Sequence, residues 1–443
     1  MQFDLIVPVM QDRGAQALVK QALEPEWEAK FEPNVYGFRP GRSCQDAIGA
    51  IFLSIRQKPK YVLEGDIAGC FDNISHSALL DKTETPPFIR RLLRGWLKCG
   101  VIDGTFQPTE RGTPQGGTAS PILALIALHG LASHIDSLGT KAYPIQAIFY
   151  ADDFVVLAAR EADIHRAKIA TEQWLQGMGL ELHPDKTKIS HTLEGEAGFE
   201  FLGFHIRQYR VGKYASKRGY KTLIKPSKTS EKCHYRQLAK IVSTHQAGTQ
   251  AKLIKHLNPV IIGWCNYYAS VVSKQRFSVL AYRLFNRLMR WARRRHPNLN
   301  LHQVVFRYWL VRQGDGWIFQ TPDGIKLHQH WETPIRRHTK VRASKSPYDG
   351  DWAYWGTRMG YYPELTPLRA RLLKQQRGKC SYCGLTFTSE DQIEIHHQDG
   401  DHDNSRFRNL TLLHRHCHDQ VHAIGMKPLT GTHDKEPGWR GAG

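Results

Sequence analysis

Apolar and polar positions alternate along this chain in patterns that change from one zone to the next. Up to residue 224, short apolar runs typical of β-strands alternate with amphipathic helical stretches, and glycine and proline separate them. From residue 225 to 298, apolar side chains recur every three or four residues, which predicts helices. On the last of these helices, the predicted buried face consists of Phe277, Leu280, Ala281, Leu284, Phe285 and Leu288.

The rest of the chain has weaker periodicity. Residues 299–368 mix aromatic, basic and glycine residues without a clear period, which predicts a small or loosely structured segment. Residues 369–426 are dense in cysteine and histidine, and residues 427–443 are predicted to be a frayed tail. The chain as a whole is therefore predicted to be a multidomain α+β protein.

Positive charge dominates the composition and narrows the set of expected partners. Lysine and arginine number 61 against 41 aspartates and glutamates, so the formal net charge is +20. This surplus points to a polyanionic partner, with nucleic acid the first candidate. Because no 18-residue apolar run occurs and the first residues lack the basic lead of a signal peptide, no membrane partner is expected. We expect a cytoplasmic protein, bacterial or organellar, that acts at the nucleoid.

Part of this charge lies on one predicted helix. Five arginines at intervals of seven, four, three and four residues share a face away from the apolar one: Arg276, Arg283, Arg287, Arg290 and Arg294. A solvated charged face is one interpretation of such a run. Because almost no acid is interleaved, the arginines would repel one another without an anion beside them, which favours a surface that tracks phosphates.

Three aspartates stand at the ends of predicted central strands. Two apolar runs flank Asp152 and Asp153, which predicts a buried β-hairpin with both carboxylates at its tip, and Asp66 ends another apolar run. Acids are also common in turns for backbone reasons. Carboxylates brought together repel unless cations neutralise them, and such hard oxygen ligands suit Mg²⁺. Two ions roughly 4 Å apart would activate a 3′-hydroxyl and stabilise leaving pyrophosphate.

The first zone resembles the reverse transcriptases encoded by group II introns. The matching segments, in the order of that family, are Tyr36-Gly37-Phe38-Arg39-Pro40-Gly41-Arg42-Ser43, Gly65-Asp66-Ile67 with Phe71-Asp72, Gly112-Thr113-Pro114-Gln115-Gly116-Gly117, Tyr150-Ala151-Asp152-Asp153, Gly179-Leu180-Glu181-Leu182 with Lys186-Thr187, and Phe201-Leu202-Gly203-Phe204. The resemblance implies a right-hand polymerase over residues 1–224, with a palm in which Asp66, Asp152 and Asp153 hold two Mg²⁺ ions.

Further substrate contacts are implied by the same resemblance. It puts Phe71 beside the sugar of the incoming nucleotide, where a bulky ring excludes a 2′-hydroxyl, although an ordinary core ring is the alternative. It puts Gln115 near the same nucleotide. Arg39 and Arg42 serve phosphates or brace the glycine-proline loop, and the sequence leaves both interpretations open.

The fingers of this polymerase are expected to be partial. Members of the family carry further finger segments before the stretch that resembles residues 11–18, and only ten residues precede it here. The missing segments normally help to hold template and nucleotide. A homodimer or a complementing N-terminal fragment is therefore an expected partner.

The helical zone, residues 225–298, resembles the thumb of the same family, also called maturase domain X. The segments that carry this resemblance are Gly263-Trp264-Cys265-Asn266-Tyr267-Tyr268, Ser273-Lys274 and Trp291-Ala292-Arg293-Arg294-Arg295-His296-Pro297. In that family the domain grips intron RNA and helps it fold for splicing. Residues 299–368 would then be a DNA-binding segment.

Cysteine and histidine pairs predict a zinc site in the last zone. Cys380 and Cys383 have the spacing of a zinc knuckle, and His414 and Cys417 repeat it with histidine in the first place. Two matched pairs make the closed four-ligand set that holds structural Zn²⁺.

Other histidines of this zone resemble the HNH nuclease motif, a β-hairpin and helix around one metal ion. In this motif His396, His418 and His422 bind a divalent metal such as Mg²⁺, His397 is the general base that activates water, and Asn409 braces the connecting loop. The alternative is that all these histidines belong to structural zinc sites.

Together the segments resemble a group II intron-encoded protein with a partial-fingers reverse transcriptase, a helical thumb and a small ββα-metal HNH zinc domain at residues 369–426. Its expected partners are the intron RNA and target DNA, and its expected activities are RNA-directed DNA synthesis, maturase function and DNA cleavage for retrohoming. Two alternatives are an RNA-binding maturase with a degenerate or split polymerase, and a stand-alone nuclease with a vestigial palm.

Overall fold

The computed structural model describes residues 9–99, 101–103, 105–107, 109–113, 116–195, 198–312, 316–342 and 345–424. The chain divides into two compact units, one made of Met1–Phe38 with Arg42–Ala343 and the other of Arg39–Gly41 with Ser344–Gly443. No helix among the described residues combines the length and apolar character needed to cross a bilayer.

The first part of the larger unit is mixed α/β. Its helices are α1 (Met10–Lys30), α2 (Cys44–Ile55), α3 (Cys70–Asn73), α4 (His76–Lys82), α5 (Pro87–Leu97), α6 (Ser120–Leu128), α7 (Leu131–Ser137) and α8 (Glu161–Gln176). Its strands are β1 (Tyr61–Asp66), β2 (Val101–Asp103), β3 (Thr105–Gln107), β4 (Gln146–Tyr150), β5 (Asp153–Ala158), β6 (Lys188–His191), β7 (Phe199–Phe201), β8 (Phe204–Arg210) and β9 (Tyr220–Pro226).

A four-stranded antiparallel sheet of order β4-β5-β1-β6 lies at the centre of this part. The central strand β5 is buried on both faces after its first residue, which explains the apolar run at residues 154–158 in the sequence. Helix α8 packs on β1 and β5, and α2 and α7 pack on β4. The apolar run Ser120–Leu128 forms a core helix, α6.

The second part of the larger unit is helical, as the apolar periodicity predicts. Its long helices are α9 (Lys228–Thr244), α10 (Gln250–Tyr268) and α11 (Lys274–Arg295). Helix α9 begins after Ser227 and α10 after Thr249, and each of these side chains accepts a backbone N–H of the first turn. The predicted inner face of α11 is buried apart from Phe285, which is half-buried against Trp309 and Trp317.

The segment at residues 299–368, predicted to be small or loosely structured, contains several short elements. It contains α12 (Leu301–Tyr308), a hairpin of β10 (Trp309–Arg312) and β11 (Gly316–Phe319), a 3₁₀ turn (His330–Glu332), α13 (Trp352–Met359) and the start of α14 (Pro367–Gln375). Aromatic packing orders the first half, because Trp309 and Phe319 lie with ring centroids 5.0 Å apart and Trp291 of α11 lies 5.3 Å from Tyr308. The elements are too short to produce a clear period.

The smaller unit includes more of the chain than residues 369–426. Ala353 of α13 shares one apolar core with the hairpin of β12 (Ile393–His397) and β13 (Leu410–His414), and Trp352 packs against that core. Helix α14 and the final helix α15 (Arg415–Ile424) contribute to the same core. The structure therefore begins this unit about 25 residues before the predicted boundary (369 against 344).

Candidate functional site

The aspartate site is formed where β1 and β5 lie side by side. The two strands are antiparallel, and their register puts Asp66 directly opposite Asp153. Asp152 lies in the tight turn that joins β4 to β5, where Ala151 has a positive φ of 58°. The predicted hairpin with carboxylates at its tip is confirmed.

Asp66, Asp152 and Asp153 lie at one corner of the sheet, which we call the aspartate corner. Two glycines allow the backbone and the side chains to pack closely there. A Cβ on Gly37 would lie 2.2 Å from the backbone nitrogen of Ala151, so only glycine lets the Tyr36–Phe38 stretch approach the turn. A Cβ on Gly65 would lie 2.2 Å from the Phe154 ring, which stacks on Phe149. These close contacts fix the position of the two strand ends that carry Asp66 and Asp153.

The three carboxylates act on one another electrostatically. Burial, with repulsion by Asp152 and Asp66, raises the pKa of Asp153 to about 6. Burial also raises the pKa of Asp152, and the Asp66 carboxylate adds to this shift. A cluster of acids whose ionisation is opposed in this way is stabilised by added positive charge.

Lys186 supplies positive charge at this site and was not assigned a role from the sequence. Its ammonium nitrogen donates a hydrogen bond to the Asp66 carboxylate over 2.8 Å, which raises the pKa of Lys186. The two residues are 120 positions apart. The only signal in the sequence was the position of Lys186 in a segment that resembles the family.

The chemistry of the donor set fits a hard divalent cation, because three carboxylates converge on one corner of a sheet. Among the described residues, the groups whose ligand atoms all lie within 4.8 Å of one another consist of cysteine and histidine, whereas the aspartates are brought together by strand register and by contact between the Asp66 and Asp153 side chains.

The residues predicted near the incoming nucleotide differ in what they contact. The Phe71 ring is half-buried and packs edge-on against Phe38, with centroids 5.9 Å apart, so both interpretations of Phe71 stay open. Arg42 donates to the carbonyl of Pro33 over 2.9 Å, which is a bracing contact. The Arg39 side chain is buried. Gln115 lies outside the described residues.

The predicted five-arginine stripe needs one correction. Arg276 forms a two-pronged ion pair with Glu231 of α9 and is therefore already neutralised. The sequence could not reveal this pair, because the two residues are 45 positions apart and on different helices. Arg283, Arg290 and Arg294 are exposed and Arg287 is half-buried.

The first Cys/His group is closed and largely buried. The ligand atoms of Cys380, Cys383, His414 and Cys417 all lie within 4.8 Å of one another. Burial and the neighbouring thiols raise the pKa of Cys417 to about 12, so thiolates at this place need a cation. Asp391, which the sequence did not single out, lies 3.5 Å from Nε2 of His414 and orients that ring. The set fits a structural Zn²⁺ ion.

The second group consists of three histidines. The ligand atoms of His396, at the end of β12, and of His418 and His422, one turn apart on α15, also lie within 4.8 Å of one another. Glu394 accepts a hydrogen bond from Nδ1 of His418 over 3.0 Å, so Nε2 of His418 faces Nε2 of His422, 3.2 Å away, where both nitrogens could bind one metal ion. The predicted separation of the histidines into two sets is reproduced, and a three-ligand set leaves room for further ligands.

Two other residues of the hairpin lie beside this group. His397 follows His396 on β12, so the two side chains leave the strand on opposite faces, and the His397 ring lies 5.0 Å from that of His402. Asn409 donates its side-chain amide to Asp399 over 2.8 Å and to the carbonyl of Asn404 over 2.9 Å. These bonds hold the loop between the two strands.

Comparisons with known proteins assign three segments of the chain. Residues 3–206 match the family model of reverse transcriptase (RNA-dependent DNA polymerase). Residues 232–309 match that of the group II intron maturase-specific domain, and residues 380–423 match that of HNH endonuclease.

Similar proteins cover parts of the chain. Protein YkfC of Escherichia coli (strain K12) is 30% identical over 46% of this chain and 63% of its own length. The group II intron-encoded protein LtrA of Lactococcus lactis subsp. cremoris is 32% identical over 44% of this chain and 29% of its own length. The chain thus spans less than two thirds of either relative. A telomerase structure from Candida tropicalis matches 46% of this chain and 44% of that chain at 15% identity, with a TM-score of 0.35.

Proposed function

Because the chain combines the reverse transcriptase, maturase-specific and HNH endonuclease segments of a group II intron-encoded protein, we propose that it serves the splicing and mobility of a group II intron. It binds the intron RNA, cleaves one strand of target DNA and copies the RNA from the resulting 3′ end. Both partners are nucleic acids, so it acts at the nucleoid of a bacterium or organelle. The observation that carries the proposal is the juxtaposition of Asp66 with Asp153.

The polymerase reaction is assigned to the aspartate corner, which is the palm in this proposal. Asp66, Asp152 and Asp153 would hold Mg²⁺, which supplies charge stabilisation for the attacking 3′-hydroxyl and the leaving pyrophosphate. Strands β1 and β5 are paired in a rigid sheet, and this pairing fixes the positions of the Asp66 and Asp153 carboxylates. Lys186 holds Asp66 in position through its hydrogen bond.

Residues around the aspartate corner are assigned contacts with the incoming nucleotide. Phe71, on the short helix α3 that follows Asp66, lies beside the sugar of the incoming nucleotide and excludes a 2′-hydroxyl by its bulk. Gln115 contacts the same nucleotide. Arg39 and Arg42 hold the loop that borders the nucleotide. The hydrogen bond from Arg42 to the carbonyl of Pro33 favours this bracing role over a direct contact with phosphate.

The helical part is assigned to RNA binding, as the thumb of the polymerase and the maturase. Arg283, Arg287, Arg290 and Arg294 retain charge that no carboxylate neutralises among the described residues, which supports contact with phosphates. Residues 299–342 would contact target DNA. The rings of Tyr267 and Tyr268 serve the fold, because these side chains donate hydrogen bonds to the carbonyls of Leu202 and Gly203.

The nuclease reaction is assigned to the three-histidine group. His396, His418 and His422 would hold a divalent ion such as Mg²⁺, which stabilises charge on the scissile phosphate. His397, on the opposite face of β12, takes the proton of the attacking water. Asn409 braces the loop, and the Cys380–Cys417 group holds Zn²⁺ as a structural element.

A second candidate is an RNA-binding maturase without DNA synthesis. It is favoured by one observation, the hydrogen bond from Lys186 to the Asp66 carboxylate, which is a metal ligand in the first candidate. Both candidates require the same RNA contacts, so RNA binding cannot separate them.

The test is a reconstituted reaction with purified full-length chain, a transcribed group II intron RNA and supercoiled target DNA. The proposal predicts accelerated splicing, cleavage of one DNA strand and complementary DNA extended from the cut. Accelerated splicing without any synthesis would support the second candidate and overturn the first. The absence of both splicing and cleavage would overturn the proposed function as a whole.

A further inference from the structure

The C-terminal half of α11 lines a concave site. A cavity of about 470 Å³ opens between this helix, the end of α9 and the loop that follows α9. Its basic lining consists of Arg287, Arg290, Arg294 and Arg295. All four lie within the segment that matches the maturase-specific domain. The volume admits more than one phosphate group.

Two of these arginines are fixed by the protein itself. Arg295 donates to the carbonyls of Gln246 and Gly248 over 2.6 and 2.8 Å, and its guanidinium lies 4.7 Å above the Trp291 ring. Arg287 reaches the carbonyl of Ala239 near the end of α9 over 3.4 Å. These bonds hold positive charge in place without neutralising it, because a carbonyl carries no net charge.

The other two arginines have unused donors. Arg290 contacts the carbonyl of Asn286 on its own helix, through one nitrogen, and Arg294 is exposed. Within the part of the chain that the structure describes, neither Arg290 nor Arg294 forms an ion pair, and the same holds for the two fixed arginines. By contrast, Arg276 on the same helix has Glu231 as a partner. Four clustered cations without a counter-charge favour a bound anion.

We propose that this cavity, which we call the arginine pocket, is a binding site for the phosphate backbone of RNA at a bend of the strand. This inference rests on the proposed function and names the residues that perform its RNA-binding step. A concave site lined from three sides accepts phosphates of a bent strand, whereas a straight strand would follow the exposed face of α11. Arg290 and Arg294 donate hydrogen bonds to the phosphates through their unused nitrogens. Arg287 and Arg295 form the base of the pocket and are held in position before RNA binds.

Polar groups at the rim favour RNA over DNA. Ser243 lines the pocket and donates its hydroxyl hydrogen to the carbonyl of Lys240 over 2.8 Å, so its oxygen remains able to accept. Gln246 lines the same rim and is exposed. A ribose 2′-hydroxyl can both donate and accept there, and deoxyribose offers no such group.

The test measures the affinity of the full chain for a short bulged RNA hairpin and for a DNA hairpin of the same sequence, across a range of salt concentrations. The double variant Arg290→Ala with Arg294→Ala should lose about tenfold in RNA affinity per arginine. The slope of log affinity against log salt should become shallower by about 1.4, since about 0.7 is expected for each contact with single-stranded phosphate. The matched control is Arg236→Ala, which removes an exposed arginine of α9 outside the pocket.

Three outcomes would overturn the arginine pocket. They are an unchanged RNA affinity of the double variant, an equal loss in the Arg236→Ala control, and an equal loss of affinity for the DNA hairpin in the double variant. Gln246→Ala should lower the preference for RNA over DNA while preserving the carbonyl that accepts from Arg295. Unchanged unfolding temperatures identify folded variants, and a Gln pair at positions 290 and 294 replaces the Ala pair if that pair does not fold. Because binding requires neither splicing nor synthesis, failure of those reactions overturns the proposed function and not the pocket.

Discussion

Asp66 and Asp153 lie directly opposite each other on neighbouring antiparallel strands, with Asp152 in the adjoining turn. Cross-strand like charges destabilise a sheet. Here the pair is retained at one end of the central sheet, where desolvation and repulsion by Asp152 and Asp66 raise the pKa of Asp153 to about 6. This arrangement lowers the stability of the fold, but it also creates a site at which binding of a divalent cation is favourable.

The positive charge of Lys186 affects the ionisation of the aspartates at this site. The ammonium group favours the ionised forms of Asp152 and Asp153, so Lys186→Gln should raise the pKa of both carboxyl groups. Since only ionised carboxylates bind a metal, the acid limb of the activity profile should move to higher pH at limiting Mg²⁺. Primer extension from pH 5.5 to 8.5 measures this. Lys188→Gln, a control that removes an exposed lysine of β6, should leave the limb in place. An acid limb that does not move in Lys186→Gln would contradict the role.

The nuclease assignment separates a base from the metal ligands. His397→Ala should abolish strand cleavage, by about 100-fold or more, while binding of a divalent metal persists. His396→Ala should lower both cleavage and metal binding. The control is His416→Ala, whose exposed ring is outside both metal groups. Nicking of supercoiled DNA and titration with Mn²⁺ report the two quantities, and a fully active His397→Ala protein would refute the base assignment.

The closed Cys/His group should hold the smaller unit together. Removal of zinc by a chelator, or Cys417→Ser, should expose the β12–β13 hairpin to proteolysis, because the four ligands tie α15 to this hairpin and to the segment around Cys380. Limited proteolysis with zinc analysis by mass spectrometry provides the readout. Cys233→Ser replaces an exposed cysteine of α9 and should keep the metal content. Unaltered protease resistance after complete loss of zinc would show that the ion is dispensable.

A buried histidine pair makes the larger unit sensitive to acid. Nε2 of His234 lies 3.0 Å from Nε2 of His330, and burial lowers their pKa values to about 4 and about 3. Below about pH 6.5 the unfolded chain takes up protons that the folded pair refuses, so stability present above pH 6.5 is lost as the pH falls toward 4. The slope is about 1.4 kcal/mol per pH unit for each histidine.

Urea unfolding from pH 7 to pH 5 measures this loss. His234→Gln should have a shallower pH dependence than the unmodified chain, although it is less stable at pH 7. His134→Gln, which changes an exposed histidine, should keep the original slope. The same steep loss in His234→Gln would show that other groups cause the acid sensitivity.

Much of the aspartate site was predictable, since the two apolar runs beside Asp152 and Asp153 indicated the hairpin, and a third run indicated the position of Asp66 at a strand end. The Cys/His ligand sets were predictable too, because their spacing within the chain determines which ligands can meet. What could not be predicted are contacts between distant segments, such as Lys186 with Asp66 or Arg276 with Glu231. The β10–β11 hairpin was missed because aromatic packing, not periodicity, orders it.

Primer extension on an RNA template tests the central claim most directly, using the full chain with Mg²⁺, an annealed DNA primer and the variants Asp152→Ala and Asp153→Asn. Asp185→Asn is the matched control, because Asp185 is exposed and lies beside Lys186 outside the aspartate corner. The account predicts synthesis by the unmodified chain and the control, and a loss of about 1,000-fold or more in both aspartate variants. Undiminished synthesis by Asp152→Ala, or no synthesis by the unmodified chain, would contradict it.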